Sequence, residues 1–251
     1  MNRLAKQAID AHGGLERWNY FDTLSAHLIQ GGELWAAKGK AGVLDDVTVT
    51  VDLRDQKASH WPFGFPDRRS RFEPQRVAIE DANGTVLEEL LQPRASFEGH
   101  ATTWSDLQLA YFAGYAMWTY LNVPFLLASP GVESEEVEPW QESDETWRRL
   151  KVLFPPDIET HSKEQTLYFD RQGLLRRHDY NVEIDGTSGA AHYVYDHKEF
   201  SGIVFPTRRR VFRRQPDGHP ASKPVIISID LDRIVLSPAK QSGTAIEEIG
   251  Q

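Results

Sequence analysis

The sequence contains no cysteine among its 251 residues. Disulfide bonds, thiolate metal sites and cysteine nucleophiles are therefore excluded. Basic residues are also in deficit, because 28 Lys and Arg stand against 37 Asp and Glu and give a net charge of −9. A nucleic-acid-binding domain presents a basic surface, so nucleic acid is not an expected partner.

Motifs of common catalytic and cofactor sites are missing too. The chain has no G-x-S-x-G, G-x-x-x-x-G-K-[ST], G-x-G-x-x-G or H-E-x-x-H pattern, and no cofactor is expected. The N-terminal segment MNRLAKQAIDAHGG lacks the apolar core of a signal peptide. This absence predicts a cytoplasmic protein, although a mature periplasmic form would look the same.

Charge is also absent from one long internal stretch. From Leu107 to Val132 there is no Asp, Glu, Lys or Arg, whereas the whole chain is 26% charged. A transmembrane helix needs about 20 mostly apolar residues, but this stretch includes Asn122 and Pro124. A helix that is apolar all round is typically enclosed by protein. We predict a helical lid or plug at about 104–127 and no transmembrane span.

The remaining chain shows a helix followed by many short strands. Leu4, Ala8 and Ile9 repeat with helical spacing, which predicts a helix over about 2–20 with a glycine break at 13–14. After it the period changes to two. The alternation is clearest where Val47, Val49, Val51 and Leu53 are separated by polar residues.

Strands are predicted over about 22–92 and again over about 146–236. Residues 33–38 are included as a strand, the acidic segment 133–145 is interpreted as a solvated loop, and 237–251 as a flexible tail. No linker divides the chain, so 1–251 is predicted to be a single domain.

Consecutive short strands joined by tight turns predict an antiparallel meander. About a dozen strands cannot remain an open flat sheet, and they curl. The predicted fold is therefore mainly β with some α: a large curled antiparallel sheet, an unclosed or half barrel, with an N-terminal helix and a helical lid or plug against its concave face.

This arrangement resembles the lipoprotein-carrier fold of bacterial LolA and LolB and their relatives. The similarity lies in the opening AKQAIDAHGGLERW, the following strand TLSAHLIQGG, and the lid segment between two blocks of strands. The resemblance implies a cavity for acyl-like ligands. The chain departs from the carriers because it is longer and has neither a signal peptide nor a lipobox cysteine, so the resemblance does not carry over lipoprotein traffic.

Two histidines are candidates for chemistry. His178 shares a strand face with Tyr180, and a hairpin near 185–189 brings this face close to His192 or Tyr193. Three interpretations stay open for these two and for His161: hydrogen-bonded core histidines, a polar floor that contacts ligand or performs acid–base catalysis, and a metal site. No ligand pair with metal-binding spacing supports the last one, so no metal is expected.

An arginine run, PTRRRVFRR, supplies the second set of candidates. Arg208 and Arg210 share one strand face and Arg209 lies on the other, so one of the two sets must face the concave side. An inward arginine can hold a carboxylate or phosphate head group. The alternative is a solvated face paired with the acidic segment.

We therefore predict a protein that binds a hydrophobic or amphipathic small molecule, acyl- or isoprenoid-like, in the cavity of the curled sheet. Two alternatives are a cofactor-independent hydrolase, isomerase or lyase with catalytic His178 and His192, and a protein whose insert docks on a membrane or partner. A homodimer stays open. The predicted ligand-binding residues are Tyr111, Tyr115, Trp118, Leu121, His178, Tyr180, His192, Arg208 and Arg210.

Overall fold

A computed structural model describes residues 1–99, 102–186 and 188–238. Four α-helices are α1 (Arg3–Ala11), α2 (Leu15–Trp18), α3 (Glu33–Ala37) and α4 (Asp106–Asn122). The strands of the N-terminal half are β1 (Phe21–Gly31), β2 (Asp46–Asp52), β3 (Ala58–Trp61), β4 (Arg68–Glu73), β5 (Arg76–Asp81) and β6 (Val86–Leu91). Those of the C-terminal half are β7 (Glu133–Glu142), β8 (Glu145–Leu153), β9 (Glu164–Phe169), β10 (Leu175–Val182), β11 (Ser188–Phe200), β12 (Ile203–Arg213) and β13 (Ile227–Pro238). Short 3-10 turns cover Pro93–Ser96, Phe125–Ala128 and Glu183–Asp185.

All thirteen strands belong to one antiparallel sheet. Its order is β6-β5-β4-β3-β2-β1-β13-β12-β11-β10-β9-β8-β7, so two meanders meet where β1 pairs with β13. Within the described residues β6 and β7 remain the two edges and do not pair with each other. The predicted fold class, a large unclosed antiparallel sheet with an N-terminal helix and a helical insert, is confirmed.

The helix α1 packs beside the C-terminal meander. The side chain of Asn2 caps its first turn by accepting a hydrogen bond from the backbone N–H of Ala5 at 2.8 Å. Gly13 ends the helical segment with a φ of +116°, and a Cβ there would lie 2.3 Å from the carbonyl oxygen of Gly202. Only glycine permits both this conformation and this approach.

The helix α4 lies against the strands of the N-terminal meander. It begins with a capping box in which Ser105 and Gln108 each accept a hydrogen bond from the other's backbone N–H. Its Gly114 allows close packing, because a Cβ at this position would lie 2.3 Å from the Cβ of Phe72 on β4. Every residue from 109 to 127 is buried, so the predicted enclosure of the uncharged insert by protein is confirmed.

Two local predictions are wrong. Residues Glu33–Ala37 form the helix α3 rather than a strand, because five residues are too few for periodicity to separate the two and the segment consists of helix-forming side chains. The acidic segment is the edge strand β7 rather than a loop. Its glutamates face solvent or basic side chains of β8. Glu136, for example, pairs with Arg148 at 2.7 Å.

The C-terminal boundary also differs from the prediction. The last strand extends through Ser237 and Pro238, which were predicted as part of a flexible tail. The rest of that predicted tail, 239–251, lies outside the described residues. In the described ranges, none of the helices combines the length and apolar character that crossing a membrane requires.

Candidate functional site

A cavity of about 370 Å³ opens between α3, the start of α4, the β10–β11 hairpin and strands β12 and β13. It lies where the helical insert leaves part of the concave face uncovered. Its walls are mainly apolar side chains from all of these elements: Leu34, Trp104, Phe112, Ala190, Val211 and Ile227.

The polar part of the cavity wall is formed by His161 and Tyr180. The hydroxyl of Tyr180 lies 2.5 Å from that of Tyr120, which in turn lies 2.7 Å from Nε2 of His161. Nδ1 of His161 lies 3.2 Å from the hydroxyl of Tyr115. Three tyrosines and one histidine therefore form a linear hydrogen-bonded chain that links the insert to the sheet. We call these four residues the Tyr–His relay.

The Tyr–His relay is uncharged at neutral pH. Burial lowers the pKa of His161 well below its usual value, and the charge of Arg94 acts in the same direction. Burial also raises the pKa of Tyr115, Tyr120 and Tyr180 above that of an exposed tyrosine. The wall consequently offers neutral donors and acceptors rather than a charge.

Charged groups line the outer part of the cavity instead. Asp185 accepts a hydrogen bond from Nζ of Lys38 at 2.5 Å, and both side chains are almost fully buried. The ammonium group of Lys38 also lies 5.1 Å from the ring centroid of Trp104. Glu33 and Arg213 complete this charged rim. The ion pair joins α3 to the turn after β10, so it holds two walls of the cavity together.

The two candidate catalytic histidines lie directly opposite each other on β10 and β11. His178 hydrogen-bonds to the amide oxygen of Gln165, and burial followed by the charge of Arg209 lowers its pKa to about 3. Both ring nitrogens of His192 are buried and have no hydrogen-bond partner among the described residues. Neither histidine lines the cavity, so acid–base chemistry by His178 and His192 stays a prediction.

The predicted residues of the insert are used mainly for packing. The hydroxyl of Tyr111 donates to Glu159 at 2.5 Å, and Nε1 of Trp118 donates to the carbonyl oxygen of Asp52 at 2.8 Å. The hydroxyl of Tyr115 is hydrogen-bonded to Nδ1 of His161, and Leu121 is fully buried in the core. None of these four lines the cavity, so their predicted contact with ligand stays a prediction.

The register of β12 corrects the predicted orientation of its arginines. The side chain of Arg208 is 53% exposed, and Arg210 pairs with Asp230 at 2.8 Å on the outer face. Arg209 points inward instead and is 1% exposed. The period of two had divided the run correctly into two faces, but cross-strand pairing with β11 and β13 decides which face is inside.

Several residues of the site were not predicted. Trp104 and Phe112 belong to the predicted insert but are not among its predicted ligand-binding residues. The Lys38–Asp185 pair joins residues 147 positions apart. His161 is one of the three histidines whose role the sequence leaves open, and its local sequence does not place it beside the other residues of the site. In the part of the chain that the structure describes, no three His, Asp or Glu side chains form a group able to hold a metal ion.

Comparison with known proteins identifies the fold and nothing beyond it. No family model matches the sequence, and no curated protein does. A LolA superfamily protein from Nitrosomonas europaea superposes with a TM-score of 0.52 at 9% identity, covering 94% of this chain and 93% of that chain. A DUF1329 family protein from Desulfovibrio piger gives a TM-score of 0.44 at 12% identity, covering 96% and 93%. The first superposition confirms the predicted resemblance to the LolA-like fold.

Proposed function

We propose that the protein binds a hydrophobic or amphipathic small molecule, acyl- or isoprenoid-like, in the cavity beside α4. The observation that carries the proposal is the cavity itself, which is about 370 Å³ in volume and walled mainly by apolar side chains. This volume falls in the range of about 300–1,000 Å³ that is typical of small-molecule sites. The proposal does not depend on whether the protein works in the cytoplasm or the periplasm.

The composition of the wall also supports this function. An apolar surface with a few placed polar groups is the usual design of a small-molecule pocket, since apolar contact supplies affinity and polar groups fix orientation. Here Tyr180 and His161 are the placed polar groups, and Val211, Phe112 and Ile227 supply apolar contact. The fold is similar to that of a LolA superfamily protein. The resemblance found in the sequence implied a cavity for acyl-like ligands in a fold of this kind.

Native mass spectrometry of the purified protein, followed by organic extraction, tests the proposal. We expect a mass above that of the chain which is lost on denaturation, together with an extractable lipid-like compound. The Val211→Trp variant fills the cavity and is expected to lose the added mass. Val235→Trp is the control, because Val235 lies on β13 with 57% exposure.

Circular dichroism of the variants separates loss of ligand from loss of fold. Where Val211→Trp fails to fold, the smaller change Ala190→Leu on the neighbouring strand β11 serves the same purpose. Val211→Trp or Ala190→Leu protein that folds and retains as much extracted ligand as the wild type would contradict binding in this cavity.

A second candidate function is acid–base catalysis on an apolar substrate, and the Tyr–His relay is the observation that favours it. Tyr180 reaches the cavity and connects through Tyr120 to His161, which also lines it, so the relay is a path for a proton between two points of the cavity wall. Turnover of an ester or enol substrate that is abolished by Tyr180→Phe would support catalysis. The alternative of docking through the insert is not supported, because residues 109–127 are buried.

A further inference from the structure

The inward face of β12 leads from the rim of the cavity to a buried cation. Arg213 lines the outer part of the cavity, and Val211 lines its wall. Arg209 is the next inward-facing residue along β12. It lies between Val194 of β11 and Ile229 of β13, which are its cross-strand neighbours. The backbone of Arg209 is therefore set one inward-facing position, or about 7 Å, further along β12 than that of Val211.

No carboxylate within the described residues pairs with Arg209, which is 1% exposed. In the part of the chain that the structure describes, its one hydrogen bond runs from Nη2 to the carbonyl oxygen of Tyr120 at 3.0 Å, and its Nε has no partner. Burial lowers its pKa to about 10, so it still carries its charge at neutral pH. Buried charges are normally paired, because an unpaired one is costly. The structure therefore holds a positive charge whose counter-charge is missing from the described protein.

The Tyr–His relay has one hydrogen more than its internal bonds use. Its three hydroxyls and one neutral imidazole carry four hydrogens, and the relay contains three hydrogen bonds. The spare hydrogen lies at one of the two ends, Tyr115 or Tyr180. Of these ends only Tyr180 lines the cavity. A ligand that accepts a hydrogen bond there would align every donor of the relay towards the cavity.

Tyr120 connects the relay to the buried cation. Its hydroxyl bonds to Tyr180, its carbonyl oxygen accepts from Arg209, and its ring lies 5.5 Å from the guanidinium carbon. His192 packs against the same ring at 4.4 Å between centroids, and neither of its nitrogens is hydrogen-bonded. The interior next to Tyr120 thus contains a guanidinium that no described carboxylate pairs with. It also contains imidazole nitrogens that make no hydrogen bond to the described residues.

We propose that the cavity selects an amphipathic molecule with a single negative charge, a fatty carboxylate, whose head group accepts the hydrogen bond of Tyr180 and balances the charge of Arg209. The proposal rests on the proposed function and adds the chemical class of the ligand. The apolar tail then extends past Phe112 and Ile227 towards the opening. The reverse orientation would place the carboxylate beside Arg213 and Glu33 at the rim, so an Arg213→Gln variant distinguishes the two orientations.

Isothermal titration calorimetry with four ligands that share one tail tests this inference: dodecanoate, methyl dodecanoate, dodecan-1-ol and dodecylammonium. We expect dodecanoate to bind about tenfold or more tightly than the ester and the alcohol, since a charge-assisted hydrogen bond is roughly twice as strong as a neutral one. The ammonium compound should bind most weakly. Equal binding of acid and ester would overturn the inference but leave the proposed function standing, whereas no binding of any of the four would count against both.

Variants locate the recognition of the charge. Arg209→Gln and, independently, Tyr180→Phe should reduce the preference for acid over ester and leave binding of the ester nearly unchanged. Arg208→Gln is the matched control, because it is the neighbouring arginine on the outer face. The inference fails where the preference survives in a folded Arg209→Gln or Tyr180→Phe protein. It also fails where Arg213→Gln at the rim abolishes the preference instead.

Discussion

Two arginines of this protein are almost completely buried, and their surroundings differ in nearly every respect. Arg177 lies on the outer face of the sheet and Arg209 on the inner face, at 0% and 1% exposure. The outer arginine donates to both carboxylate oxygens of Asp179, at 2.6 and 2.8 Å, and to the carbonyl oxygen of Gly218. The inner arginine has one hydrogen bond and no carboxylate among the described residues.

The aromatic neighbours show the same contrast. The guanidinium of Arg177 lies about 5 Å from the rings of Trp140, Tyr168 and Tyr193, which cover it on the outside of the sheet. Burial acts to lower its pKa, but Asp179 outweighs burial and the net shift is upward. For Arg209 burial prevails and the pKa falls. The charge of Arg177 is balanced by a neighbouring carboxylate, whereas the charge of Arg209 has no counter-charge among the described residues and could be balanced by a bound anion.

Acidification should produce the largest effect, because it adds charge to an interior that already holds an unpaired cation. Burial lowers the pKa of His178 to about 3 and those of His60 and His12 to about 4. The unfolded chain binds these protons near pH 6.5 and the folded chain does not, so stability is lost as the pH falls from about 6.5 towards 4. Each histidine then costs about 2 kcal/mol by pH 5.

Urea unfolding at pH 7, 6 and 5 measures this loss. The free energy of unfolding should decline by several kcal/mol in total over this range. His178→Asn removes one of these histidines, so the decline in the free energy of unfolding should be smaller by about 2 kcal/mol. An unfolding free energy that is constant between pH 7 and 5 would show that these histidines are not held neutral.

Removal of the outer arginine should be the next most damaging change. Arg177→Met leaves the buried carboxylate of Asp179 with the more distant Arg214, at 3.7 Å, in place of the guanidinium that contacts both of its oxygens. Breaking a buried ion pair typically costs about 3–5 kcal/mol, and we expect a loss towards the lower end of this range. Chemical denaturation at pH 7 gives the value. Arg208→Met provides the control on an exposed strand face and should change stability by less than about 0.5 kcal/mol. A similar, small loss in both variants would remove the distinction between a completed site and a surface position.

The inner arginine should give the smallest change in stability. Arg209→Met removes an unpaired buried charge and a single hydrogen bond, so we expect a change within about 1 kcal/mol, in either direction, in ligand-free protein. The same denaturation series measures it. A loss as large as that of Arg177→Met would mean that Arg209 is a structural residue, and the contrast between the two arginines would disappear.

The two arginines also show how far the sequence alone reaches. The alternation in β12 separates Arg209 from Arg208 and Arg210 without any structure, and the uncharged run predicts a buried helical insert. The choice of inner face depends on which residues β11 and β13 place opposite, and a shift of one residue reverses it. Nothing within the run PTRRRVFRR carries that information.

The sequence by itself determined the order of the elements: an N-terminal helix, two blocks of short antiparallel strands and an uncharged helix between them. Hydrophobic periodicity and charge are local properties of the chain, so they indicate each element without a structure. The sequence also placed His178 near His192 or Tyr193, since a short hairpin brings its two strands together, and the register that pairs His178 with His192 came from the structure. Only the tertiary structure decided where the cavity lies and which polar groups reach it. Tyr120, His161 and Tyr180 meet across 41 and 60 residues of chain, and the Lys38–Asp185 pair spans still more. Such contacts arise from the curvature and register of the whole sheet, which no local pattern encodes.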